Sequence, residues 1–143
     1  MKMRNSLFAL LSLIFISGCQ SPQNNTDDIP KLISSPDDVV NKPNGIQNIE
    51  RFEQFLSNIK KGKADEVRIV HYTIEGDPIL HVLEYDGDII NSTYDTRRDK
   101  YGQGSVSHTT CSSIEEVQTG EDTEYILEGC GNSEETHIFT VAK

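Results

Sequence analysis

The apolar residues of this chain fall in short runs bounded by turn signals, and the densest succession is residues 66–95, EVRIVHYTIEGDPILHVLEYDGDIINSTYD. Val67, Ile69, Val70, Tyr72 and Ile74 give the first run the β-branched and aromatic content that suits a pleated surface. Gly76-Asp77-Pro78 breaks it, since Gly accepts positive φ and Pro cannot donate to a ladder. A second run, Ile79 to Tyr85, ends at Asp86-Gly87, a dipeptide favoured in two-residue hairpin turns. The third run, Asp88 to Asp95, follows at once, so the pattern predicts a three-strand meander.

Turn geometry then predicts a register. The Asp86-Gly87 turn sets Tyr85 against Asp88, Leu83 against Ile90 and Ile79 against Tyr94. A Gly76-Asp77 turn sets Glu75 against Pro78, Ile74 against Ile79 and Val70 against Leu83. One face collects Val70, Tyr72, Ile74, Ile79, Leu83, Ile90 and Tyr94, with His81 and Ser92 as polar members, and reads as the core face. Val67, Ile69, Leu80, Val82 and Ile89 remain on the other. A one-residue slip in the first hairpin exchanges the faces of one strand.

Residues 49–60 carry helical spacing. Ile49, Phe52, Leu56 and Ile59 form an apolar stripe with Phe55 beside it, and the stripe is expected to lie on the meander. Asn48 is placed to cap the start, Lys60 and Lys61 suit the negative end, and Gly62 closes it. After the meander, Thr96 to Thr110 is a polar loop with Arg97-Arg98 and Gly102-Gln103-Gly104-Ser105. Ser112 or Ser113 starts a short helical turn through Val117. Thr119-Gly120-Glu121-Asp122 turns the chain into a strand from Thr123 to Cys130, and His137 to Ala142 is a last strand. The succession predicts an α+β domain over residues 48–143. Its N-terminal amphipathic helix packs on an antiparallel sheet of about five strands: a three-strand meander, a short crossover and a two-strand hairpin.

The N-terminal third reads differently. Lys2 and Arg4 precede an apolar run, Leu7 to Ile16, too short to span a bilayer as a helix, and small residues follow. That order describes a secretory signal over residues 1–18. Ile16-Ser17-Gly18-Cys19 resembles the lipobox of bacterial lipoproteins, which implies diacylglycerol on the Cys19 thiol and Cys19 as mature N-terminus; the alternative is an ordinary signal peptide. Acyl chains anchor at about 0.8 kcal/mol per buried methylene. Residues 19–47, broken by Pro22, Pro30, Pro36 and Pro43, read as the lipidated Cys and a flexible tether reaching roughly 30 Å. Asp38 to Asn41 is alternatively a short edge strand.

The formal net charge is −10, and losing Lys2 and Arg4 with the leader takes it to about −12. Such acidity argues against nucleic acid as a partner, because that binding needs Lys and Arg to displace counterions. With Cys19 assigned to lipid, Cys111 and Cys130 read as one disulfide of an exported domain, closing a loop for about 3 kcal/mol. A metal pair fits no common zinc spacing, and two free thiols are the other alternative.

The runs KADEVRIVHYTIEGDPI (63–79), EYDG (84–87), DKYG (99–102) and YILEGC (125–130) resemble an uncharacterised family, or domain of unknown function, of small cell-envelope lipoproteins from Gram-positive spore-forming bacteria. The resemblance spans about residues 38–141, and Arg68 to Pro78 is its most specific part. It implies a lipoprotein of unknown role on the extracytoplasmic face of the cell membrane, and it carries no catalytic residue over.

The chain holds no nucleophile elbow, phosphate loop, zinc-protease helix, Cys-x-x-Cys or EF-hand loop. Ser105, Ser107 and His108 share a loop without a visible orienting group. His71 and His81 point to opposite faces in the register above; if the first loop is Gly76-Asp77-Pro78 they share a face, where Thr73 or Glu75 can join them at a metal. Glu84, Asp86, Asp88, Asp95 and Asp99 gather near the second hairpin, with Arg68, Arg97 and Arg98 to neutralise them. Asp86, Asp88 and Asp95 are the candidates for a cation, against a solvated acidic rim that protects a sheet edge. The expectation is therefore a membrane-anchored, non-enzymatic interaction or ligand-binding module without a cofactor, engaging an envelope protein or a small ligand through loop 96–110 or the exposed sheet edge. A carboxylate-pair or cation-dependent hydrolase and an inhibitor of an extracellular enzyme are the alternatives.

Overall fold

The computed structural model describes residue 29, residues 31–132 and residues 136–142. The leader and Cys19 lie outside them. Its elements are β1 (Val39–Lys42), β2 (Gly45–Gln47), α1 (Ile49–Lys60), β3 (Asp65–Tyr72), β4 (Pro78–Tyr85), β5 (Ile90–Asp95), β6 (Val106–Cys111), β7 (Ser113–Thr119), β8 (Asp122–Glu128) and β9 (His137–Val141). They form a six-stranded sheet in the order β2-β1-β3-β4-β5-β6 and a three-stranded sheet β7-β8-β9. The expected α+β domain with one sheet of about five strands is therefore overturned: the described residues are mostly β, with two sheets and one short helix.

The strands that the pattern missed are polar or short. β6 (VSHTTC) and β7 (SIEEVQT) lack a continuous apolar face, so their hydrophobicity alone does not mark them. They are strands because neighbouring ladders need partners: Ser92 pairs with Thr109 and Glu116 with Tyr125. The segment expected to turn helically after Ser112 is thus β7. Residues 39–47, read with the tether, contribute β1 and β2, and β1 runs parallel to β3 with Val39 opposite Ile69. The alternative edge strand at Asp38 to Asn41 is close to what forms.

The meander exists, but neither turn has two residues. The loop Thr73–Asp77 is closed by Thr73 N–H to Asp77 O and Gly76 N–H to Thr73 O, so Val67 pairs with Leu83 and Val70 with Leu80. This parity sends Val67 and Ile69 inward and leaves Ile74 90% exposed. At the second turn Asp86 Oδ1 accepts the N–H groups of Asp88 and Ile89, widening it to pair Tyr85 with Ile90. That shift is even, so Leu83 and Ile90 keep the expected face.

Helix α1 forms where its spacing predicts, and Phe52 and Phe55 are wholly buried. Phe52 meets the rings of Tyr125 at 5.0 Å and Phe139 at 4.7 Å, tying the helix to the small sheet. Val39, Val67, Ile69, Leu83, Ile90 and Cys111 of the large sheet complete one core with Leu127, Ile138 and Phe139. Asn48 does not cap through its side chain. It sits at φ 57°, and its amide donates to the carbonyls of Pro36 and Asp38. Gly62, at φ 62°, does close the helix, with its N–H on Ile59 O. Cys111 and Cys130 form a disulfide, which joins the end of β6 to the residues after β8.

Candidate functional site

Strand directions bring three connections to one end of the large sheet: Pro43-Asn44 between β1 and β2, Thr73–Asp77 between β3 and β4, and Thr96–Ser105 between β5 and β6. Two ionic clamps lock this loop end. Buried Asp77 accepts the Lys100 ammonium at 2.9 Å on Oδ1 and the Lys100 backbone N–H at 3.1 Å on Oδ2. These bonds hold its carboxyl below the usual carboxylate range. Asp95 takes Arg97 in a forked pair, with Nε and Nη2 both at 2.9 Å, and Arg98 Nη1 at 2.8 Å. Hydrogen bonds from Arg97 push the Asp95 carboxyl far down despite its burial.

What the clamps present is apolar. Ile74 is 90% and Tyr101 80% exposed, on the two loops that Asp77 and Lys100 join. Beside Ile74 lies a cleft of about 420 Å³, lined by Lys42, Pro43, Asn44, Tyr72 and Thr73, with Lys42 Nζ 5.5 Å from the centre of the Tyr72 ring. A second cleft of about 520 Å³ shares Lys42, Pro43 and Asn44 and continues inward over Asn41, Ile46, Ile49, Thr140 and Val141.

Behind Asn41 the inner face of the sheet turns polar. His71 and His81 lie diagonally on it, because Ile69 pairs with His81 and His71 with Ile79. The register with a longer first loop is the one that brings them together; the two-residue turn, which separated them, does not form. Their ring centres are 6.0 Å apart, and Tyr94 stands edge-on to His81 at 5.1 Å. Asn41 Nδ2 lies 3.0 Å from His71 Nδ1, and Ser92 Oγ lies 2.8 Å from His81 Nε2. Burial, with a small push from His137, lowers His71 to about 4; burial, with a push from His71, lowers His81 to about 3. Both are neutral at physiological pH. Thr73 and Glu75 sit in the loop beyond β3, and neither is among the residues hydrogen-bonded to the two rings.

Residues 36–126 match the profile of a family described as a domain of unknown function, DUF4362. This chain belongs to the DUF4362 family. The match runs from before β1 into β8, so it takes in the loop end and both histidines, and β9 lies beyond it. No curated protein and no solved structure matches the chain.

Within this DUF4362 fold the other candidates separate. Asp86 and Asp88 occupy the β4–β5 turn, while Asp95 ends β5 at the opposite end of the sheet, opposite Leu80. The three carboxylates named as candidates for a cation are not brought together, and Asp95 is committed to arginine. Arg68 does not serve that rim either: it forks onto Asp38 at 2.7 and 2.8 Å. Ser107 and His108 alternate across β6, where His108 Nδ1 lies 2.9 Å from Thr93 Oγ1 and Ser105 Oγ 3.3 Å from Thr96 Oγ1. The polar loop that holds Lys100 and Tyr101 was expected as a working surface, but neither residue was singled out in it, and Ile74, expected on the core face, is exposed instead.

Proposed function

We propose that this DUF4362 protein is an extracytoplasmic module, tethered to the cell membrane by lipid on Cys19, that works by binding another envelope protein rather than by turnover. The observation that carries the binding reading is the pair Ile74 and Tyr101, held out to solvent on loops cross-locked by Asp77 and Lys100. Large apolar side chains held rigidly lose little entropy on docking, and a rim of Lys42 and Lys100 around them suits an acidic or polar surface. The anchor reading rests on the lipobox-like Ile16-Ser17-Gly18-Cys19. The same locked loop also suits an inhibitor that places Tyr101 in the cleft of an extracellular enzyme.

Photocrosslinking on native membranes tests this. A photoreactive side chain at position 74 or 101 is expected to capture one and the same protein, and one at exposed Glu115 is not. Cys19→Ala is expected to release the chain from the membrane fraction. Equal capture from all three positions would refute the loop end as the docking surface. An enzyme captured from 101, and inhibited by the purified domain, selects the inhibitor reading.

A further inference from the structure

The two sheets end in four edge strands: β2 and β6 in the large one, β7 and β9 in the small one. Among the described residues, one side of each has no ladder partner. A row of unpaired N–H and C=O groups is a template for a further strand, and folded chains blunt it with charge, brevity or cover. Three of these edges are blunted. β7 carries the exposed Glu115 and Glu116, β2 has three residues, and the Thr110 carbonyl of β6 accepts the Gly131 N–H at 3.0 Å. β9 (HIFTV) is not: it has five residues and no Lys, Arg, Asp or Glu.

The unguarded strand borders a cleft. Thr140 and Val141, at its end, form one wall of the cleft of about 520 Å³ that β1, β2 and the start of α1 complete. Ile46, Ile49 and Val141, each half-buried against the core, give it an apolar lining. No Asp or Glu lines it. Its one charge is the Lys42 ammonium, which makes no ion pair among the described residues.

Those features select the occupant. Free main-chain groups recognise another main chain, and every second side chain of an added strand falls on one face, which suits an apolar groove. Lys42 stands where this cleft meets the one beside Ile74, and an unpaired cation there calls for a carboxylate. The net charge of −10 disfavours a second copy of the chain in the same place. We propose that the envelope partner adds an extended, mainly apolar segment to the free edge of β9, with one carboxylate against Lys42. A strand that matches the five residues of β9 runs roughly 17 Å, at about 3.4 Å per residue. This inference rests on the docking role of the loop end and names what docks there.

The test pans a phage-displayed library of random decapeptides on the full chain carrying Cys19→Ser, which is free of lipid. Enriched sequences are expected to alternate apolar residues and to carry Asp or Glu near one end. A synthetic enriched peptide is expected to slow amide hydrogen exchange in β9 and not in β7. It should bind Lys42→Glu about tenfold more weakly or worse, and lose binding when every second amide is N-methylated. Lys42 is exposed and unpaired, so its variant should melt with the parent, and N-methylation leaves the protein untouched. No enrichment, protection at β7 or indifference to N-methylation overturns the proposal. A free chain already dimeric, with β9 protected, overturns it in favour of a second copy. On native membranes, a photoreactive side chain at position 140 is expected to capture the protein captured from 74 and 101. Capture from 74 and 101 without 140 overturns strand addition alone; capture from none of them overturns the docking reading as well.

Discussion

At the scale of single residues, burial decides the protonation of His71 and His81. Their folded pKa values of about 4 and about 3 lie below the ordinary 6.5, so folding selects the neutral rings. A group that folding makes less basic contributes nothing adverse above pH 6.5. Below it the unfolded chain binds the proton first, and stability falls until the pH reaches the folded values. Urea denaturation between pH 7 and pH 4 is therefore expected to show a decline, with His71 accounting for about 3 kcal/mol of it. His71→Gln should flatten that share of the decline; an unchanged pH dependence in the variant would show that His71 is not buried as described. Nothing in the string RIVHYTIE signals this: a histidine on a strand is desolvated only by what other elements lay over it.

Among the elements, α1 was the most legible and β6 and β7 the least. An apolar stripe at 3.6-residue spacing is a local property, and Phe52 and Phe55 announce the buried face of α1 wherever the partner sheet lies. Phe52→Ala removes the ring that touches both Tyr125 and Phe139, and it is expected to cost about 3–5 kcal/mol, read as a lowered urea midpoint with an unchanged slope. A loss under 1 kcal/mol would mean that the helix does not join the two sheets. The strands β6 and β7 are polar edge strands, stabilised by ladders to β5 and β8, so their identity resides in their neighbours. The first hairpin shows the same dependence. Gly76-Asp77 has the composition of a two-residue turn, yet Asp77 is drawn into the Lys100 clamp and the loop lengthens to match.

For the molecule as a whole, the loop end combines firm clamps with exposed apolar tips. Surface substitutions away from packed features change stability by less than about 0.5 kcal/mol. Ile74→Ser with Tyr101→Ser should therefore leave the melting temperature within a degree or two of the parent while abolishing capture of the partner on membranes. A double variant that melts much lower would place these side chains in the fold instead of at an interface. The end is assembled from residues as distant in sequence as Asn44, Ile74 and Tyr101, and β1 reaches it through a parallel pairing that no local pattern encodes.

Composition and local spacing determined the acidic charge, the helix, the existence of the meander and the Cys111–Cys130 bridge, because each depends on residue types or on neighbours a few positions away. Tertiary structure alone decided the register of β3 against β4, the division into two sheets, and the meeting of His71 with His81. Those outcomes depend on which distant strand supplies the missing hydrogen bonds and covers the exposed face, and a chain read in one dimension does not contain that choice.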